Sequence, residues 1–158
     1  MTRELITTWN DYRTAFDRLL AEAQGKISFY DEDLSKPGFA SPDRLDHLQR
    51  ILRSGYDLAL RLAVRHAASL PQREPGLMKL LGTYSHRAAA QETPPQLAHL
   101  RDSMFIVDDR HALIRFDRDQ PRSKLLLDEA AEIRPYLQRF EEIWAEGGES
   151  IRPTTLGL

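Results

Sequence analysis

The residues with the most chemistry to offer fall in two places. Asp102 to Phe116, DSMFIVDDRHALIRF, is two short apolar runs around a polar turn, with Asp108, Asp109, Arg110 and His111 crowded at the turn. FYDEDLS, Phe29 to Ser35, is an apolar run that opens into Asp31, Glu32 and Asp33. Cations surround the first stretch: Arg101 stands before it, and Arg110, Arg115, Arg118 and Arg122 lie within and after it. The chain holds eighteen arginines and four lysines. A guanidinium stays protonated and presents a planar fork of donors that grips carboxylate or phosphate oxygens in pairs, so the pattern points to anion capture. Biased codon usage is the competing explanation. The five histidines (His47, His66, His86, His99, His111) show no i, i+4 pair and no His-x-His, which argues against a histidine metal site. His66, at the end of an apolar run, is the one placed to reach a ligand. Absence of cysteine excludes disulfides and thiolate metal sites.

The elements that must position these residues are readable from periodicity and punctuation. Thr8 to Ala23 places Trp9, Tyr12, Phe16, Leu19, Leu20 and Ala23 at helical spacing, with Thr8 or Asn10 as cap and Gly25 as stop. Lys26 to Tyr30 is a short buried strand, followed by a loop. A second helix starts at Ser41, with Pro42 at its first position and Asp43 in its first turn, and Gly55 follows its end. Asp57 to His66 alternates apolar and polar residues as a strand does. PQREPG reads as a turn, LMKLLGTY as a short helix, His86 to Gln91 as a strand and PPQLAHL as a helical turn. Met104–Asp108 and His111–Phe116 form a hairpin. KLLLDEAAEIRPYLQRFEEIWAEGG is a strand leading into a helix capped by Asp128, with Pro135 kinking it or marking its true start. Strand and helix alternate, which predicts an α/β layered domain with a mostly parallel sheet, one antiparallel hairpin and helices on both faces.

A length of 158 residues suits one core, expected over 1–150 with residues 151–158 as a C-terminal arm. In that arm Ile151, Leu156 and Leu158 would dock on the domain or on a partner. With 41% hydrophobic and 29% charged residues the composition is that of a globular chain. No apolar run approaches the ~18 residues of a spanning helix, and no leader pattern opens the sequence, so a cytoplasmic protein with no membrane contact is expected. A net charge of −2 supplies no global basic field for nucleic acid.

Around Asp108 the hairpin resembles the motif of the phospholipase D-like superfamily: His-x-Lys, four residues, Asp, then a return strand reaching Gly-Ser. With Asp108 on the motif aspartate, the histidine position holds Arg101 and the lysine position Ser103, and the return strand ends on Arg115 and Phe116. In that superfamily the histidine attacks phosphorus and the lysine neutralises a phosphate oxygen. Arginine cannot attack, and serine carries no charge. Shifting the register to use His99 would put Ile106 in the aspartate's place. The whole chain, through FYDEDL, FIVDDRHALIR, RFEEIW and TTLGL, resembles an uncharacterised bacterial family with such a half-domain, its catalytic motif lost. Active members pair two halves, so the resemblance implies a homodimer.

On this reading the protein is a non-catalytic binding or protein-interaction module with no cofactor, bound to an unidentified protein partner. Arg101, Ser103, Arg115, Arg118 and Arg122 are its candidate anion ligands, and Asp108 is a motif remnant. The plainer assignments are a buried pair of Arg115 with Asp31, Asp33 or Asp108, and a structural hairpin role for Asp108. Trp9, Phe16, Phe140 and Trp144 suit the core or a dimer seam. Two alternatives stand beside this reading. Asp31-x-Asp33 after a strand also resembles the first motif of haloacid-dehalogenase-type phosphatases, which would make Asp31 the nucleophile, Asp33 the acid/base and magnesium the bridge. Ser35 nearly matches the hydroxyl expected there, and Asp108 and Asp109 would be the distal pair. The remaining alternative is a nucleic-acid binder that lays its arginines along a phosphate backbone.

Overall fold

The structure is a computed structural model that describes residues 1–54 and 57–153. Its frame is one sheet of eight strands among those residues: β1 Thr2–Ile6, β2 Ile27–Asp31, β3 Leu60–Val64, β4 Ala88–Glu92, β5 Ser103–Val107, β6 His111–Arg115, β7 Ser123–Leu127 and β8 Glu149–Ser150, in the spatial order β1-β7-β6-β5-β2-β3-β4-β8. Helices α1 (Trp9–Glu22), α2 (Pro42–Ser54), α3 (Leu70–Arg73) and α4 (Pro75–Thr83) pack on one face; α5 (Ala130–Ala145) covers the other, with Leu97 and Leu100 of the 95–100 turn beside it. The expected α/β architecture with helices on both faces is present.

The expected mostly parallel sheet is not. Only β2–β3 and β3–β4 run parallel; the other five pairings are antiparallel. The cause is loop length. Residues 108–110 join β5 to β6 and residues 116–122 join β6 to β7. Such links are too short for a parallel crossover, which takes a dozen residues or more.

Where the punctuation was explicit, the helices follow it. Thr8 caps α1, its Oγ1 accepting the Asp11 amide at 3.1 Å. α2 begins at Pro42, while Gly55 lies outside the described residues. Four local readings need correction. α1 ends at Glu22, and Gly25 gives its amide to a side chain across the fold instead. Of Asp57–His66 only Leu60–Val64 is strand, and all five residues are buried, so the apparent alternation was not a solvated face. PQREPG is no turn: it holds the last three residues of the short helix α3 and the first two of α4. Glu129, not Asp128, occupies the N-cap of α5; Asp128 sits in the left-handed region at φ 54. The helix runs on through Pro135.

Packing divides into two cores. Under α1 and α2, Phe16 stacks on Phe105 at 4.3 Å and meets Phe29 and Phe39. Under α5, Phe140 and Ile133 cover Met104, Ile106, Ala112 and Ile114. Trp144 stacks on Phe140 at 6.0 Å, and Trp9 is half-buried against the first core. Ile151 docks on that same core; Leu156 and Leu158 lie outside the described residues.

Candidate functional site

The carboxyl end of β2, the start of β5 and the end of β6 lie at one end of the sheet, and their registers bring three chemistry-bearing residues together. Ser103 is the cross-strand partner of Arg115, and β5 also pairs with β2, which ends on Asp31. The Arg115 Nη2 donates to Asp31 Oδ1 at 3.0 Å, with the two side chains 1% and 0% exposed. The other Asp31 oxygen accepts the amides of Asp33 at 3.2 Å and Leu34 at 2.7 Å as the chain leaves β2, turning at Leu34 with φ 66. The Arg115 guanidinium carbon stands 4.9 Å from the Tyr12 ring centre and 5.5 Å from that of Trp9. Arg115 Nε and Nη1, the Tyr12 hydroxyl and the Ser103 hydroxyl are buried without a partner among the described residues. Burial pushes the Tyr12 phenol up to about 12, against the pull of the Arg115 guanidinium beside it.

A second buried arginine lies at the same end, across the sheet. Arg65 follows β3, donates through Nη1 to the Asp102 carbonyl at 2.9 Å and stacks 5.0 Å from the Tyr30 ring centre. Its Nε and Nη2 and the Tyr30 hydroxyl are likewise unpartnered among the described residues. The Asp102 carboxylate is held by the Arg139 fork. Desolvation raises the Tyr30 phenol above its usual range, with Arg65 opposing.

The five candidate anion ligands are dispersed. Exposed Arg101 forks onto Asp117 at 2.9 Å and Asp119 at 2.5 Å, and these partners hold its guanidinium above its ordinary range and Asp117 down to about 2. Ser103 and Arg115 are buried. Arg118 lies 3.6 Å from Glu32 and 3.9 Å from Asp119. Arg122 is exposed beside Phe116, whose amide donates to the Arg122 carbonyl.

Asp31 is sealed from solvent. Asp33 is partly exposed, and its carboxylate accepts the Ser35 amide at 2.9 Å. Hydrogen bonds at Ser35 lower Asp33 below the usual carboxylate range despite its partial burial. Among the described residues no three His, Cys, Asp or Glu side chains are placed to hold a metal ion. His47 contacts Arg50 at 3.2 Å, His111 accepts the Asp128 amide at 3.0 Å, and His66, His86 and His99 are exposed.

At the opposite end of the sheet, Asp108 acts as a clamp. Its Oδ2 accepts the Gln24 amide at 2.9 Å, and its Oδ1 accepts those of Gly25 at 2.9 Å and Lys26 at 3.0 Å, tying the hairpin to the α1–β2 junction. Asp108 and Asp109 have φ 55 and 56, and Arg110 closes the turn by donating to the Val107 carbonyl at 3.1 Å. The sequence pattern reads Tyr12 as one of the apolar positions of α1; the one signal of a polar role is a hydroxyl at i+3 from Trp9 on an otherwise apolar helix face.

Solved structures with the same fold define the class. The chain superposes with TM-score 0.64 on the phospholipase D family member Nuc from Salmonella typhimurium, at 11% identity, covering 96% of this chain and 98% of that one. NucT from Helicobacter pylori matches with TM-score 0.55 and 10% identity over the same shares. TrmBL2, an archaeal chromatin protein whose structure shows a novel mode of DNA binding, matches with TM-score 0.67 and 13% identity over 96% of this chain. Because the match takes in 55% of TrmBL2, the chain spans about half its length. These similarities show a phospholipase D fold. By its sequence, residues 8–153 match the model of a domain of unknown function, DUF7931, and the chain belongs to that family. No curated protein matches it. Among the described residues no helix is long and apolar enough to cross a membrane.

Proposed function

We propose that this chain is a non-catalytic phospholipase D-like half-domain, over residues 1–150 with an arm beyond, that serves as a binding module. One observation carries the reading. Where the superfamily needs a nucleophile and a cation, this chain has Arg101 tied to surface aspartates and Ser103 buried under the Arg115–Asp31 pair. A protonated guanidinium has no lone pair to attack phosphorus, and a carboxylate bound by two amides and an arginine is a poor nucleophile. A homodimer is part of the proposal.

The test is turnover of bis(p-nitrophenyl) phosphate and p-nitrophenyl phosphate by the intact protein, with and without magnesium. The reading expects none above the buffer rate. Magnesium-dependent turnover that Asp33→Asn removes would establish the phosphoesterase alternative in its place. Sedimentation at micromolar concentration reads the dimer; a monomer mass removes that part.

A second reading, nucleic-acid binding, is favoured by the likeness to the DNA-binding chromatin protein. It predicts single-stranded DNA affinity that falls steeply with salt, by about 0.7 log units per log unit of salt for each phosphate neutralised. The net charge of −2 and the carboxylate partners of Arg101 and Arg118 weigh against it.

A further inference from the structure

The two edges of the sheet are finished differently. On one side β4 is covered by the two-residue β8, the Ile151 amide then donates to the Ala90 carbonyl at 2.8 Å, and Pro153 packs on Gly82 of α4. A two-residue strand followed by proline offers little to an incoming chain. On the other side, no strand among the described residues pairs with the outer edge of β1. Alternate N–H and C=O groups of Thr2–Ile6 therefore have no ladder partner among the described residues.

Beside that open edge lies a hollow of about 440 Å³ lined by Arg3, Glu4, Leu5, Phe116, Arg122 and Lys124. Leu5 is 58% exposed and Phe116 44%, two of the four exposed large hydrophobics among the described residues. The register puts them on the α5 face: Leu5 opposes Lys124, Lys124 opposes Ile114, and Phe116 follows Ile114 by two. α5 leaves this edge uncovered. The charge there is net positive. Arg3 and Lys124 share the carboxylate of Glu132, Arg122 has no ion pair among the described residues, and Glu4 is the other acid on the lining, so three cations meet two anions.

We infer that the β1 edge is a docking site for an extended segment of another protein, which adds a strand to the sheet, sets a leucine-like side chain into the Leu5–Phe116 hollow and places acidic residues two positions away against Arg3 and Arg122. Strand addition takes affinity from main-chain hydrogen bonds and specificity from alternate side chains. A second copy of this chain fits poorly. A two-fold antiparallel pairing of β1 with itself centres on Arg3 against Arg3 or on Glu4 against Glu4, and like charges directly opposite destabilise a ladder. Centring on Leu5 leaves a ladder of three residues, Glu4 to Ile6.

The test uses the whole chain and two fluorescein-labelled nonapeptides, one with the central sequence Asp-Thr-Leu-Thr-Asp and the other with Lys-Thr-Leu-Thr-Lys. The acidic peptide should bind at least roughly tenfold tighter, slow amide exchange across Thr2–Ile6, and lose about tenfold in affinity with either Leu5→Asp or Arg122→Glu. Both positions are solvent-exposed, so these variants keep the fold. Equal binding of the two peptides, no binding up to about 1 mM, or affinity unchanged in Leu5→Asp would overturn the proposal. So would a dimer in sedimentation that Leu5→Asp abolishes, which would give the edge to a second copy.

Discussion

Two arginine–carboxylate pairs, one on each face of the same sheet, meet water very differently. Arg115 and Asp31, under α1, are sealed; they share a single 3.0 Å hydrogen bond and leave two guanidinium nitrogens unpartnered. Arg61 and Glu141, under α5, form a fork with both oxygens at 2.7 and 2.6 Å, and Ser28 takes a further bond at 3.0 Å. Both guanidinium groups lie on aromatic rings, Tyr12 and Trp9 in one case, Phe140 and Trp144 in the other. Yet the Glu141 side chain is 47% exposed. The better hydrogen bonds belong to the pair that water can replace. In the sealed pair, the cost of stranding either charge alone holds the partners together.

The largest test of that contrast removes one sealed charge. Asp31→Asn or Arg115→Met should each cost about 3–5 kcal/mol, while the double change to Leu and Met should recover most of the loss. Urea denaturation measures all three, and single losses below about 1 kcal/mol would break the contrast.

High pH gives the next test. The Tyr12 phenol is held near 12 in the folded protein against 10.0 unfolded, so the folded state favours the protonated form. Its contribution is complete below pH 10 and disappears as pH rises through 12, up to about 2.7 kcal/mol. Tyr12→Phe should flatten that limb of the stability profile and leave neutral-pH stability equal or higher. A steep alkaline loss in the Phe variant would exonerate Tyr12.

Asp108→Ala asks what holds a carboxylate when no arginine does. With three amide donors stranded, about 2 kcal/mol should be lost, visible as a drop in thermal midpoint that Asp109→Ala does not share. The smallest effect belongs to the open pair. Glu141 is lowered below its usual range by the Arg61 hydrogen bond, so its contribution is present above about pH 4.5 and fades as pH falls through the lower folded value. Half exposed, it is worth under about 1 kcal/mol, and Glu141→Gln should erase that acid dependence.

Legibility followed locality. The α1 and α2 starts and the hairpin were readable because Thr8, Ser41-Pro42-Asp43 and the polar turn at 108–110 act within a few residues. Pairing of Arg115 with an acid was readable as a charge on a strand covered on both faces, but Asp31, Asp33 and Asp108 were equal candidates until the register chose among them. β1 escaped notice because only Ile6 of its five residues is buried, leaving no period to find. The direction of the sheet was misread because alternation of strand and helix in the first half of the chain stops after β4. The partners of Asp108 stand more than eighty positions away, and no local pattern announces them.

The pairing of β1 with β7 has a temporal consequence. Thr2 opposes Leu127 and Ile6 opposes Ser123, so more than a hundred residues separate the partners. On a ribosome adding roughly 5–20 residues per second, the first strand waits on the order of ten seconds for its neighbour to be made. Throughout that interval both of its edges are bare. Whatever shields a nascent strand must hold this one longer than any other in the sheet, and a defect in β7 would be felt as misassembly before it was felt as instability.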